Sequence, residues 1–179
     1  MQFAIFRLRR KILADFPQRA IHKTVVHNMN TLPKGITGFY HISQNGIPET
    51  DKSLVENIVK NFESSSDFWK VSLTQQQVDN NFYLISVSDK NGDYKIGINS
   101  TYRFYCGIKS LADWTTIEFC DLPKSITESI PVEFTELRTD FLNEPLKPKH
   151  IIALNKAELK QIEYWKTEKV GNVIFNKYD

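Results

Sequence analysis

The side chains able to carry out chemistry are few in this sequence, and they stand apart. Its four histidines, at positions 22, 27, 41 and 150, include no pair at the four-residue helical spacing that metal sites favour. Its seven glycines are scattered and form no phosphate-binding GxxxxGK loop. We therefore expect no metal, no cofactor and no small-molecule ligand.

The two cysteines, Cys106 and Cys120, are the candidate nucleophiles. Two thiols are too few for a four-ligand zinc site, and a nucleophilic thiol needs a neighbouring base, which nothing in the sequence marks. A disulfide between them stays open, although two buried free thiols are the commoner arrangement. These observations predict a protein that is not an enzyme.

One short motif has both a catalytic and a structural interpretation. Glu158-Leu-Lys160 matches the carboxylate-x-lysine end of a metal-dependent nuclease motif, which also needs a strand and an upstream Asp. Asn155 stands three residues before Glu158, a spacing typical of a capping box, in which each side chain accepts a hydrogen bond from the backbone N–H of the other residue. We favour the capping box. It begins a helix whose predicted buried face consists of Leu159, Ile162, Tyr164 and Trp165.

The remaining elements predict a single α+β domain over residues 1–179. Apolar residues recur at helical spacing over 51–62, and two strands at 82–88 and 94–98 flank a turn at Asn91-Gly92. The strands should form an antiparallel β-meander with the helices packed on one face. The region 125–144 fits neither the helical nor the strand period. Further strands are expected at 101–108, 114–119 and 151–154.

The net charge of +2 is distributed unevenly along the chain. Residues 1–27, here called the basic arm, hold six basic side chains against one acidic one, and so carry +5, whereas the remaining residues carry −3. We expect the arm to be a strand, or a short helix broken by Pro17, at the periphery of the domain; Met29 is an alternative start to Met1. Cations interleaved with aromatic residues suit phosphate backbones or an anionic membrane face, and a solvated basic edge is the simpler alternative. The candidate polyanion-binding residues are Arg7, Arg9, Arg10 and Lys11.

A second region of uneven charge is acidic. Residues 125–145, here called the acidic strip, hold five carboxylates against Arg138 alone, a net charge of −4. Such a strip can pair with a basic protein, because complementary charge steers association, but an ordinary acidic surface would carry the same residues. The candidate protein-binding residues are Glu133, Glu136, Asp140 and Glu144.

The end of the chain resembles a known protein family. The segment 162–179, Ile-Glu-Tyr-Trp-Lys-Thr-Glu-Lys-Val-Gly-Asn-Val-Ile-Phe-Asn-Lys-Tyr-Asp, is similar to the endings of small immunity proteins from bacterial polymorphic-toxin and contact-dependent-inhibition systems. In those endings a Tyr-Trp-Lys step precedes Val-Gly-x-x-Ile-Phe-Asn and a final aromatic-Asp pair. The resemblance implies a non-catalytic protein that binds its cognate toxin domain, commonly a nuclease, and blocks its active site or an essential surface. The apolar character of seven residues in this segment predicts that they lie in the core: Tyr164, Trp165, Val170, Val173, Ile174, Phe175 and Tyr178.

Charge and resemblance together give two functional hypotheses of different classes. The first is an immunity protein that contacts its toxin through the acidic strip. The alternative is an accessory protein that associates with nucleic acid or an anionic membrane through the basic arm. No apolar run reaches the length of about 18 residues that a membrane span needs, and two cysteines fit a reducing compartment, which predicts a cytoplasmic location.

Overall fold

The computed structural model describes residues 25–26, 29–40, 48–74, 80–111 and 116–178. Predictions for Arg7, Arg9, Arg10, Lys11 and Trp114 lie outside these residues. None of the described helices is long and apolar enough to cross a bilayer. The elements in chain order are β1 (Val25–Val26), α1 (Lys52–Ser64), β2 (Phe68–Thr74), β3 (Phe82–Asp89), β4 (Gly92–Asn99), β5 (Phe104–Ser110), β6 (Glu118–Cys120), α2 (Lys124–Ser129), β7 (Thr135–Leu137), α3 (Thr139–Leu142), α4 (Pro148–Ile151), α5 (Lys156–Trp165) and α6 (Val170–Ile174).

The strands form one mixed sheet built on an antiparallel meander. β2, β3, β4 and β5 pair in sequence order, so the predicted α+β fold with a meander is confirmed. On the far side of β5, β7 runs parallel to its beginning and β6 runs antiparallel to its end. β1 lies parallel to β7, with Val25 opposite Glu136. Two residues of the basic arm are therefore part of the sheet.

The predicted β3–β4 hairpin is confirmed, and an aspartate organises its turn. Asp89 and Gly92 pair across the two strands, which leaves Lys90 and Asn91 at the tip. The Asp89 carboxylate accepts hydrogen bonds from the N–H groups of Asn91 (2.6 Å) and Gly92 (3.1 Å). Burial alone would raise the pKa of Asp89, but these bonds and those from the Asn91 and Tyr94 side chains hold it below its usual value.

One face of the sheet is covered by α1 and α2. The Asp51 carboxylate caps α1 by accepting the N–H of Ser53 at 2.8 Å. The apolar stripe of this predicted helix is buried against the face that carries the odd-numbered residues of β3, and Ile126 of α2 joins the same cluster. The buried stripe of α1 consists of Val55, Ile58 and Phe62.

The opposite face carries a second layer, which the prediction of helices on one face did not include. Phe82 and Cys106, whose side chains alternate to this side, pack with residues from α3, α5 and α6. α6 approaches β6 so closely that a methyl group at position 171 would collide with the Phe119 ring. The predicted burial of the chain's last apolar run is confirmed for Val170, Val173, Ile174, Phe175 and Tyr178.

The expected strand at 151–154 is wrong, because Ile151 ends helix α4 and a turn follows at residues 152–153. Pro148 takes the first helical position, where a missing N–H costs nothing, and His150 faces the interior with no exposed surface. The ambiguous region 125–144 divides at Pro131 into α2 before it and β7 with α3 after it. The strand expected from 101 begins instead at Phe104, because the Asn99 side chain accepts the N–H groups of residues 101 and 102 and holds a turn there.

Three buried asparagines join distant parts of the chain. Asn81 and Asn99, at the ends of the hairpin strands, each donate to the carbonyls of Ile36 and Ile174. Asn176 donates its backbone N–H to the Asn81 Oδ1 at 2.8 Å. The network therefore fixes the 29–40 segment and the end of α6 against the same edge of the meander. Because each buried polar group has a partner, the network specifies one arrangement.

Candidate interaction surfaces

The structure does not gather the four acidic candidates into one surface. Glu133 and Asp140 are exposed. Glu136 is only 5% exposed, and it pairs in register with Tyr105, whose side chain belongs to the α1–α2 side of the sheet. α3, which carries Asp140, packs on the opposite side, as does the buried Phe141 beside it. A partner can therefore reach Glu133 and Asp140 but not the Glu136 carboxylate.

The cation in the acidic strip is already engaged by carboxylates. Arg138 places Nη2 at 2.7 Å from Asp121 Oδ2 and Nη1 at 3.6 Å from Glu136 Oε1. The other oxygen of Asp121 accepts the backbone N–H and the hydroxyl of Thr139. Burial tends to raise the pKa of Asp121, but the Thr139 bonds and the Arg138 charge hold it below its usual value. These contacts fix the end of β6 against the junction between β7 and α3.

Glu144, the fourth acidic candidate, faces a buried histidine. Its Oε2 lies 3.7 Å from His150 Nε2. The other ring nitrogen, Nδ1, accepts the N–H of Lys147 at 3.1 Å, which leaves the ring proton on Nε2 in the neutral form. Burial lowers the pKa of His150, the charge of Lys149 lowers it further, and Glu144 opposes both. Among the described residues Nε2 has no hydrogen-bond partner, so the approach of Glu144 is close but is not a hydrogen bond.

The Glu158 carboxylate is fully buried and holds two parts of the chain together. Oε2 accepts the N–H of Asn155 at 2.9 Å and its Nδ2 at 2.8 Å, so the predicted capping box is confirmed. Oε1 accepts the N–H of Gly35 (2.9 Å) and both the N–H and the hydroxyl of Thr37. Lys160, by contrast, points to solvent. The two charged groups of the apparent nuclease motif therefore face opposite directions.

Both cysteines are free thiols. Cys106 is buried and Cys120 half-buried, and burial raises the pKa of each thiol above its usual value. A raised pKa keeps a thiol protonated and therefore a weak nucleophile. In the described ranges, no three or more His, Cys, Asp or Glu side chains group together as metal ligands.

The segment that resembles immunity proteins exposes an aromatic residue. Tyr164 is 75% exposed, so its predicted burial is wrong. On α5 it stands two residues beyond the buried Ile162, about 200° around the helix, and so faces away from the core. Its ring packs edge-on against the half-buried Trp165, with centroids 5.3 Å apart. Trp165 in turn stacks on Tyr178 with the ring planes 4° apart.

A shallow pocket of about 190 Å³ lies beside these rings. The hydroxyls of Thr167 and Tyr178 hydrogen-bond to each other on its wall, and Tyr178 also donates to the Asn172 carbonyl at 3.2 Å. Burial raises the pKa of Tyr178 to about 12, so the hydroxyl stays protonated at neutral pH. Lys166 and Lys169 also line the pocket. Glu168 lines it as well, so its walls are polar and carry two positive charges against one negative charge.

The lysines around the pocket continue along α5. Lys156, Lys160 and Tyr164 recur every four residues, which places them in one row on the helix, and all three are exposed. With Trp165, Lys166 and Lys169 they form what we call the basic aromatic surface. In the described part of the chain, none of its four lysines forms an ion pair with a carboxylate.

Comparison of the chain with protein-family models, curated proteins and solved structures finds no match.

Proposed function

We propose that this chain is an immunity protein, which binds the toxin domain of a bacterial toxin system and blocks its active site or an essential surface. The observation that carries the proposal is the resemblance of residues 162–179 to the endings of such proteins. The same segment exposes Tyr164, and its residues Lys166 and Lys169 form no ion pair with a described residue. Exposed aromatic residues are frequent at the energetic centres of protein interfaces.

The rigidity of this part of the fold suits tight inhibition. A surface that is ordered before binding loses less conformational entropy on association than one that orders afterwards. α5 is capped by Asn155 and anchored through Glu158 to the 29–40 segment, and Tyr178 is held by hydrogen bonds to Thr167 and Asn172. A toxin domain would therefore meet a surface that is already shaped.

The neighbouring reading frame provides the direct test. If the gene follows one for a large secreted protein, the variable C-terminal domain of that protein should be expressed with and without this chain. We expect the domain alone to stop bacterial growth, the two together to permit growth, and both chains to co-purify. A toxic domain that this chain neither neutralises nor binds would reject the proposal.

The four acidic candidates differ in burial, and the choice of variants must take this difference into account. Reversing all four charges would disrupt the fold through Glu136, so the informative variant is Glu133→Lys with Asp140→Lys. If these residues contact the toxin, its affinity should fall and its dependence on salt should change. Unchanged affinity and salt dependence would remove the acidic strip as the contact.

The second candidate is an accessory protein that associates with nucleic acid or an anionic membrane, and the net charge of +5 over the basic arm favours it. Deleting residues 1–27 would also remove strand β1, so the cleaner variant replaces Arg7, Arg9, Arg10 and Lys11 with Gln. Under the accessory function, binding to single-stranded DNA or to anionic vesicles should be lost while the fold stays intact. Under the immunity function, toxin neutralisation should persist.

A further inference from the structure

We propose that the basic aromatic surface is the docking site for an acidic segment of a partner protein. The inference deepens the proposed function, on which it rests in taking the toxin domain as the natural source of that segment. It places the contact with the partner protein on a positively charged surface instead of on the acidic strip. The residues that carry it are Lys156, Lys160, Tyr164, Trp165, Lys166 and Lys169.

Charge complementarity identifies the sign of the partner. Lys166 and Lys169 line the pocket together with Trp165, while Lys156 and Lys160 extend the row that leads to Tyr164 along α5. All four lysines are exposed, against two exposed carboxylates in the same stretch, Glu163 and Glu168. Lys169 Nζ donates to Asn143 Oδ1 at 3.4 Å. A cation without a carboxylate partner is free to pair with one from another chain. The local excess of positive charge therefore favours a segment rich in Asp and Glu.

The backbone at Lys166 shows that a lysine occupies a position where glycine is the usual residue. Lys166 ends α5 in the left-handed conformation, at φ 51° and ψ 46°. Glycine is the residue that usually occupies this conformation at a helix end, and another side chain there costs roughly 1 kcal/mol. Lys166 therefore lines the pocket at a small expense of stability. Lys70 in β2 adopts a similar positive φ of 52°, so the place of Lys166 in the pocket wall, together with its backbone, is what supports a role in binding.

The character of the surface favours a protein partner over a nucleic acid. Glu163 and Glu168 lie among the lysines and would repel a continuous row of phosphates, whereas a protein segment can present carboxylates to the cations alone. One face of the Trp165 ring is occupied by Tyr178, and Tyr164 meets the ring edge-on. A nucleobase therefore has less free ring surface on which to stack. The exposed Tyr164 remains available as an apolar anchor for a side chain of the partner.

The first experiment uses a fluorescein-labelled oligoglutamate peptide and an oligothymidylate of the same length, at low ionic strength. We expect the full-length protein to bind the peptide more tightly than the oligonucleotide. The double variant Lys166→Glu with Lys169→Glu should bind the peptide about tenfold more weakly, since two attractions become repulsions. The matched control is Lys90→Glu with Lys95→Glu, which makes the same change in net charge at the exposed end of the β3–β4 hairpin. Equal weakening in both variants, no peptide binding by the wild type, or preferred binding of the oligonucleotide would overturn the proposal.

A single substitution separates binding from folding. Lys166→Gly removes the ammonium but suits the left-handed backbone, so the melting temperature should stay the same or rise. Peptide binding should nevertheless weaken several-fold. Wild-type binding in this variant would overturn the role of Lys166.

The toxin domain distinguishes failure of this inference from failure of the proposed function. If the domain binds the wild type and the Lys166→Glu, Lys169→Glu variant equally well, the docking site is wrong and the immunity function stands. If the chain does not neutralise the domain at all, the immunity function is wrong, and the peptide measurements still decide whether the surface binds acidic segments.

Discussion

Replacing Glu158 with Gln tests the buried connection between α5 and the 29–40 segment. The wild-type carboxylate accepts five hydrogen bonds, three through Oε1 and two through Oε2, with no exposed surface. A glutamine keeps the shape but replaces one oxygen with an NH2 group. Whichever way the amide turns, that group meets donors, either at Gly35 and Thr37 or at Asn155. At least two hydrogen bonds are lost.

The size of the effect follows from the charge of the acceptor. Hydrogen bonds to a charged group contribute about 1.5–3 kcal/mol each, and the smaller cost of burying a neutral amide offsets part of that loss. We expect Glu158→Gln to lower the free energy of unfolding by about 3 kcal/mol. For a protein of this size, each kcal/mol corresponds to about 2–4 °C, so the melting temperature should fall by about 6–12 °C.

Urea denaturation followed by circular dichroism measures this change. The matched control is Glu163→Gln, which makes the same chemical change at an exposed position of the same helix and should stay within about 0.5 kcal/mol of the wild type. If Glu158→Gln were as stable as that control, the carboxylate would not hold the two segments together, and the reasoning would be refuted.

Three further substitutions probe the remaining buried features. Asn81→Ala leaves the N–H of Asn176 without its acceptor, and urea denaturation should show a loss of about 2 kcal/mol; an unchanged midpoint would contradict the network. Gly171→Ala forces a methyl group against the Phe119 ring and should cost about 1–3 kcal/mol, so a raised melting temperature would show that the contact is not tight. The lowered pKa of His150 means that the folded protein binds its proton less readily than the unfolded chain. The free energy of unfolding should therefore be highest above pH about 6.5 and decrease as the pH falls below it, and His150→Gln should lack that decrease; identical pH profiles would refute this role.

The features that the sequence predicts correctly are local ones. The apolar stripe of α1, the β3–β4 hairpin and the capping box each depend on residues a few positions apart, so their patterns are visible along the chain. The contacts that fix the tertiary arrangement join distant residues. Glu158 meets Thr37 across 121 positions, and Asn176 meets the Thr37 carbonyl across 139. A lone Asn or Glu carries no mark of such a partner, because many distant donors and acceptors would satisfy it equally well.

The acidic strip shows why charge counted along the sequence is a poor guide to surface. Glu136 lies in a strand, so it points to the opposite side of the sheet from its neighbour Leu137, which packs in the second layer. A helix follows two residues later, and the direction of each side chain then depends on how that helix docks. Net charge over a segment is visible in the sequence, but only the docking decides which charges share a face. Of the four predicted residues, Glu133 and Asp140 are exposed, Glu144 is partly exposed and Glu136 is buried.

The segment 162–179 contains two kinds of residue: buried ones, which contribute to the fold, and exposed ones, which are available for binding. Val170, Val173 and Phe175 are buried, so packing alone accounts for their apolar character. Similarity to another protein at such positions indicates a shared core and carries little information about a partner. Packing in the core does not account for Tyr164 or Lys166. Tyr164 is exposed, and Lys166 adopts a backbone conformation that glycine would adopt at lower cost. If the resemblance reflects a common function, these exposed positions, rather than the buried ones, are where the choice of partner should be encoded.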